Sequence, residues 1–296
     1  MTADPRHVWV DGALLPADGR HVSAFDRGFQ LGDGVFETLR ARAGRPAELD
    51  AHVDRLRHSA AGLGIPLPAD AERRIPAAID ELLRAEGLAG PEGDAAIRVT
   101  VSRGPYMGRG ILPPHDPEPT IAIQAWRVIP PTAESLEAGV HLATSTIRRD
   151  PASPLAALKT TSRADFVHAR LAARAAGADD ALFVTIDGHL SEATSANVFI
   201  IRGQGIATPS LDCAILPGTT RTWLLSWAAR VGLEPAEGHL APGDLASADE
   251  AFLSSSVAGV LAITRFDGRP IGAGVPGPWT RRARADREEF LRGERE

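Results

Sequence analysis

The chain has 296 residues, of which 44% are hydrophobic and 24% charged, enough for one large or two medium domains with a sizeable core. That composition excludes a disordered or collagen-like chain, and a formal net charge of −6, from 32 basic against 38 acidic residues, disfavours nucleic acid and anionic membranes as partners. No run of 18 apolar residues is present, the polar N-terminus is not followed by an apolar leader segment, and the lone cysteine, Cys213, has no partner for an internal disulfide. These features predict a cytoplasmic protein with no membrane or nucleic-acid partner, and no metal is expected.

In chain order, His7 to Val10 and Ala13 to Leu15 flank Asp11-Gly12, a strong hairpin turn. Val35 to Arg42 reads as a strand closed by Gly44-Arg45-Pro46. Leu49, Val53, Leu56, Ala60 and Leu63 recur at helical spacing, and Ile75, Ile79, Leu82 and Leu83 mark a second helix. Ala96 to Ser102 and Thr120 to Trp126 read as strands, joined by a Gly/Pro-rich loop from 104 to 119 long enough to suggest function. Ile129-Pro130-Pro131-Thr132 is a stiff linker, placing a small N-terminal α/β domain at 1–128, the linker at 129–135 and a larger C-terminal α/β domain at 136–296. In the latter, strands are predicted at 140–146, 181–186, 197–201, 251–254 and 260–264, with helices at 164–176, 219–231 and 278–291. The charge-rich tail from Arg281 reads as a solvated helix face.

Of the 32 basic residues one is lysine, Lys159, and the rest are arginine. Lysine can form a Schiff base with a carbonyl, which arginine cannot. A solvent-exposed lysine not yet replaced by arginine is the alternative. Glu192, in a run of small residues between apolar strands, reads as a half-buried acid, satisfied either by a cation or by backbone amides. Leu216-Pro217-Gly218-Thr219-Thr220-Arg221 opens a helix whose free amides suit an anion, and Ser254-Ser255-Ser256 offers hydroxyls at a turn. Each is also a common structural motif.

Together these segments resemble the class IV (fold type IV) pyridoxal-phosphate aminotransferases. Asp26-Arg27-Gly28-Phe29-Gln30-Leu31-Gly32-Asp33-Gly34-Val35-Phe36-Glu37, His52-Val53-Asp54-Arg55-Leu56, Lys159, Ser191 to Phe199, Leu216 to Arg221 and Phe252 to Ser256 follow the family's order. The resemblance implies a two-domain α/β fold with mixed sheets and pyridoxal 5′-phosphate (PLP) as cofactor. It implies Lys159 as the Schiff-base lysine and proton carrier, and Glu192 as the partner of the pyridine nitrogen. Leu216 would pack on the ring, and Arg55, Thr219, Thr220 and Ser256 would hold the phosphate. It further implies a homodimer that passes an amino group from an amino donor to a 2-oxo acid by a ping-pong cycle.

Within the family, branched-chain members resemble one another in a Tyr-Gly-Thr before the Val-Phe-Glu and in a tyrosine beyond the lysine. Here Leu31-Gly32-Asp33 and Ala164 occupy those places, and Tyr106 is the single tyrosine. Gly32-Asp33-Gly34 is shared with the D-amino-acid and lyase branches, and Thr38, Ser102-Arg103-Gly104 and Gly108-Arg109-Gly110 resemble the aminodeoxychorismate lyases. The expected activity is transamination of a D-amino acid or (R)-amine, with the lyase second. A branched-chain enzyme or a non-catalytic cofactor binder ranks below both. Thr38 would lie near the substrate. Arg109 is the first candidate for the substrate carboxylate, with Arg163 and Arg98 as rivals.

Overall fold

The computed structural model describes residues 4–293. Contacts divide the chain into two compact units, the first running through Ile129 and including Leu158–Arg163, the second made of Pro130–Ala157 and the chain from Ala164 onward.

In the first unit, β1 (His7–Val10) and β2 (Ala13–Pro16) form the expected hairpin, with Asp11 and Gly12 at φ 49° and 106°, as a two-residue turn of this hand requires. Then come α1 (Arg27–Leu31), β3 (Gly34–Arg42), β4 (Arg45–Pro46), α2 (Leu49–Gly62), α3 (Ala71–Ala85), β5 (Asp94–Ser102) and β6 (Thr120–Arg127). The strands order β2-β1-β6-β5-β3-β4, each antiparallel to its neighbour. Alternation sends Val35, Leu39, Ile97, Val99 and Val101 to one face, where they bury against Leu56, Ile75, Ile79 and Leu82 of α2 and α3. The other face carries Phe36 opposite Thr100 and Thr38 opposite Arg98.

The lysine segment belongs to this unit, which corrects its expected place in a C-terminal domain. The Phe36 amide donates to the Lys159 carbonyl at 2.9 Å, the Thr161 amide donates to the Gly34 carbonyl at 2.8 Å, and Val35 bridges Thr160. The start of β3 thus satisfies the backbone of residues 159–161, and hydrogen bonding rather than chain order sets the unit.

The second unit opens with α4 (Ala133–Ala138), capped by the Thr132 side chain, so the expected linker at 129–135 is in part helical. There follow β7 (Val140–Arg149), α5 (Ala164–Ala175), β8 (Asp180–Thr185), β9 (Leu190–Ala193), β10 (Asn197–Arg202), β11 (Gly205–Pro209), α6 (Thr219–Arg230), β12 (Glu234–Gly238), α7 (Pro242–Ala246), β13 (Glu250–Ser255), β14 (Gly259–Phe266), β15 (Arg269–Pro270) and α8 (Pro278–Arg292). The sheet runs β12-β11-β10-β13-β14-β7-β8-β9, with β15 paired to β14. β11–β12, β14–β7 and β7–β8 are parallel and the other pairs antiparallel. Val198, Leu253 and Ile263 fill one core with Leu245, while Phe199 and Phe252 pack against Leu224 and Trp227 of α6 and Ala283 of α8. The tail helix α8 is not merely a solvated face, because Thr280, Ala283, Arg287 and Leu291 line up at helical spacing and are buried.

Candidate active site

Each unit presents its own group of chemistry-bearing residues. In the first, Lys159 is fixed at both backbone groups, its carbonyl by Phe36 and its amide by the Ser59 hydroxyl at 3.1 Å. Its Nζ lies 4.7 Å from the centroid of the Phe36 ring. The same ring carries the Arg98 guanidinium at 3.8 Å and that of Arg163 at 6.0 Å. Three cations thus gather around one aromatic ring, which can hold them without consuming their hydrogen bonds. Burial pulls the Arg98 pKa down from the ordinary arginine value, and its Nε donates to Thr100 Oγ1 at 3.1 Å. Arg98 therefore sits beside Lys159, with Thr38 across the strand pair. Arg109, the first candidate from sequence, is exposed on its loop and makes no contact with this group among the described residues.

That loop is tied down by side chains the sequence reading left unassigned. Arg27 Nη2 donates to the Ile111 carbonyl at 2.7 Å and Nη1 to that of Gly110 at 3.2 Å, while its Nε donates to Asp33 at 2.8 Å. Arg103 grips the same carboxylate at 2.8 and 3.0 Å. Burial raises the Asp33 pKa, but the hydrogen bonds and charges of Arg103 and Arg27 outweigh it and hold the carboxyl below its usual range.

Arg55 is buried on α2, where its Nε and Nη2 donate to the two oxygens of Glu37 at 2.8 and 2.7 Å. His52 Nδ1 approaches the same carboxylate at 2.7 Å. Burial raises the Glu37 pKa, yet the bonds from Arg55 and His52 and their charges win and hold it at about 2. An acid on the core-facing parity of β3, between Val35 and Leu39, was the available sequence signal for this clamp.

In the second unit, Glu192 on β9 is buried, and its Oε2 accepts from the Leu216 amide at 3.0 Å. Asn197 Nδ2 donates to the Leu216 carbonyl at 3.0 Å and reaches Glu192 Oε2 at 3.4 Å. Asn197 thus ties the acid to the loop entering α6. At Gly218 a Cβ would fall 2.1 Å from Asn197 Oδ1, so only glycine lets the loop lie this close. Gly218 caps α6 without a side-chain hydrogen bond, and the positive end of the helix dipole at this terminus suits an anion. Thr219 Oγ1 stands 3.3 Å from Ser256 Oγ, so the two sequence-predicted phosphate segments meet. Ser254 Oγ is buried without a hydrogen-bond partner among the described residues. Thr220 Oγ1 accepts from Arg287 at 3.3 Å.

The family model for amino-transferase class IV matches residues 34–266. The chain belongs to the class IV aminotransferases. This family's D-alanine aminotransferase from Bacillus licheniformis is 30% identical over 93% of both chains. The aminodeoxychorismate lyase of Bacillus subtilis is 31% identical, covering 88% of this chain and 86% of its own. Among solved structures, the branched-chain aminotransferase of the archaeon Thermoproteus uzoniensis with norvaline superposes with a TM-score of 0.86 at 28% identity, over 98% of this chain and 96% of that one. Class IV aminotransferases are enzymes that use PLP, and their α/β architecture is the one found here. The residues present fit that cofactor. The second unit has an uncapped helix N-terminus beside converging hydroxyls, an orphaned serine oxygen and a buried acid, and the first has a fixed lysine. Among the described residues no helix is long and apolar enough to cross a membrane.

Proposed function

We propose that this class IV aminotransferase moves an amino group between a D-amino acid and a 2-oxo acid. The observation that carries the amino-acid reading is Arg98, a half-buried cation 3.8 Å from the ring on which Lys159 Nζ also rests. A guanidinium there suits a substrate carboxylate, which an amine donor lacks. Asp33, in place of the branched-chain signature, counts against a branched-chain enzyme and organises Arg27 and Arg103 around the 104–119 loop.

When bound, PLP supplies the aldehyde that receives the amino group and the ring that draws electrons from the substrate α-carbon. Lys159 would hold the cofactor, and its Nζ would be the base that moves the substrate α-proton. Glu192, its carboxylate oriented by the Leu216 amide and Asn197, would keep a proton on the ring nitrogen, and Leu216 would pack against the ring. Arg55, Thr219, Thr220 and Ser256 would hold the phosphate, with the positive end of the α6 dipole adding to them. Arg98 holds the carboxylate, Arg163 adds positive charge nearby, and Thr38 faces the side chain. A second oxo acid runs the cycle in reverse, giving ping-pong kinetics. A homodimer and a reducing, cytoplasmic setting complete the reading, supported by exposed apolar side chains on α1 and the 104–119 loop and by the lone buried cysteine.

Aminodeoxychorismate lyase is the second reading, favoured by Thr38 directly across from Arg98. The deciding experiment sets D-alanine/2-oxoglutarate exchange beside L-leucine exchange, (R)-1-phenylethylamine deamination and pyruvate release from aminodeoxychorismate. Fastest turnover of D-alanine supports the proposal. Fastest pyruvate release makes the chain a lyase, and preference for L-leucine overturns both readings.

A further inference from the structure

We propose that Arg287, on the C-terminal helix, is a positioning residue for the cofactor phosphate, acting through the hydroxyl of Thr220. This rests on the reading that Thr219, Thr220 and Ser256 hold that phosphate. Arginine is among the residues least often fully buried, yet Arg287 is 1% exposed. Its helix is locked in place at several points. The Glu250 carboxylate, at the start of β13, accepts from the Trp279 amide at 3.1 Å, the Thr280 amide at 2.8 Å and the Thr280 hydroxyl at 2.7 Å. Gly277 admits no side chain, since a Cβ would lie 2.0 Å from Glu250 Cδ. Nearly two turns before the end of the helix, Asp286 accepts from Trp227 Nε1 of α6 at 2.8 Å. These ties fix both the rotation and the axial position of α8 against β13 and α6.

The guanidinium that results lies 5.1 Å from the centroid of Trp223 and 4.8 Å from that of Phe290. Its Nη2 reaches Thr220 Oγ1 at 3.3 Å, on the first turn of α6. Its stem passes Gly259, the residue paired with Ser255, where a Cβ would be 4.0 Å from Arg287 Cγ. A threonine oxygen that accepts from a guanidinium keeps its own proton to donate, and an anion is the acceptor that suits it. The charge also adds to the positive end of α6. The ligand feature this serves is a phosphate monoester, so its effect belongs to PLP and not to pyridoxal, which lacks the phosphate.

The test titrates apoenzyme with PLP and, separately, with pyridoxal, for wild type, Arg287→Met, Arg287→Gln, Arg287→Lys, Thr220→Val and the Arg287→Met/Thr220→Val double variant. Arg287→Met and Arg287→Gln should weaken PLP by about ten-fold, with pyridoxal changed by less than about two-fold, and Arg287→Lys should restore most of the loss. In the double variant the Arg287 change should cost little beyond Thr220→Val alone. Equal loss for PLP and pyridoxal, or unchanged PLP binding, overturns the inference. Failure of all three Arg287 variants to fold, read by circular dichroism of the apoenzymes, assigns Arg287 a structural role and overturns it too. The underlying reading fails differently: PLP affinity would then survive Thr220→Val and a companion Ser256→Ala variant.

Discussion

Glu37 receives two hydrogen bonds from Arg55 and one from His52 while almost fully buried, so its charge and the order of Arg55 depend on each other. Its folded pKa is about 2, below the ordinary value of 4.5, so the stability it contributes is complete above that ordinary value. As pH falls from there toward 2, the unfolded chain binds the proton first and the contribution, about 3 kcal/mol, is lost. Urea midpoints measured across that range should fall more steeply for wild type than for Glu37→Gln. At pH 7 the variant should be about 3–5 kcal/mol less stable, because it leaves Arg55 buried without its carboxylate. Equal acid sensitivity in the two proteins would count against the clamp. Lys159 invites a sharper test. Lys159→Arg keeps the cation beside Phe36 but cannot bond the aldehyde, so turnover and borohydride fixation of the cofactor should both vanish. For the substrate, Arg98→Ala should raise the KM for D-alanine by about ten- to a hundred-fold, the worth of one charged hydrogen bond, and leave (R)-1-phenylethylamine nearly untouched. Arg109→Ala should do neither, and the reverse pattern would return the carboxylate to the loop.

Gly218 shows at the scale of one element what sequence conveys and what it does not. Leu216 to Arg221 was legible as a loop feeding a helix, because glycine before threonines is an N-terminal signal. Why the residue must be glycine was not, since its φ of −72° suits any residue and the restriction comes from Asn197, far off in sequence. Gly218→Ala should displace the loop, weaken the tie between Asn197 and Glu192, and lower PLP affinity without unfolding the sheet. Wild-type affinity in that variant would show that the loop yields at no cost. The same contrast runs through the fold. The long alternating strands β3, β5 and β6 and the helices α2 and α3 announce themselves by apolar periodicity. β9, β11 and β12 do not, being short and held by backbone pairing, and β12 is largely exposed and contains proline. The buried stripe of α8 was hidden because Thr280, Asp286 and Arg287 are polar, and only their partners Glu250, Trp227 and Thr220 make that face internal.

Across the whole molecule, the lysine and the residues expected to hold the ring and phosphate are drawn from segments far apart in sequence, and order along the chain proved a poor guide to grouping. By position residues 158–163 fall within the C-terminal half, whereas strand pairing with β3 puts them in the first unit. Ordered motifs identify the family, but which backbone satisfies which lies outside what a motif records. The exposed surface supports one further expectation. Phe29 on α1 is 76% exposed, and Met107, Ile111 and Leu112 on the 104–119 loop are 75%, 77% and 81% exposed. Arg27, on the same short helix as Phe29, donates to the carbonyls of Gly110 and Ile111, so this helix and this loop, both bearing exposed apolar side chains, are tied together. Large apolar side chains gathered in this way favour burial against another surface, and a second copy of the chain is the occupant the proposed homodimer supplies. Wild type should therefore sediment as a dimer. Ile111→Glu combined with Leu112→Glu should shift it toward monomer, since each buried carboxylate would need a partner. Neither substitution touches the Arg27 contacts, which are to backbone carbonyls, so circular dichroism and the Asp33 clamp should be preserved. A double variant that remains dimeric would place the interface elsewhere. A monomeric wild type would remove the dimer from the proposed mechanism and leave these side chains as the grip of the loop on substrate.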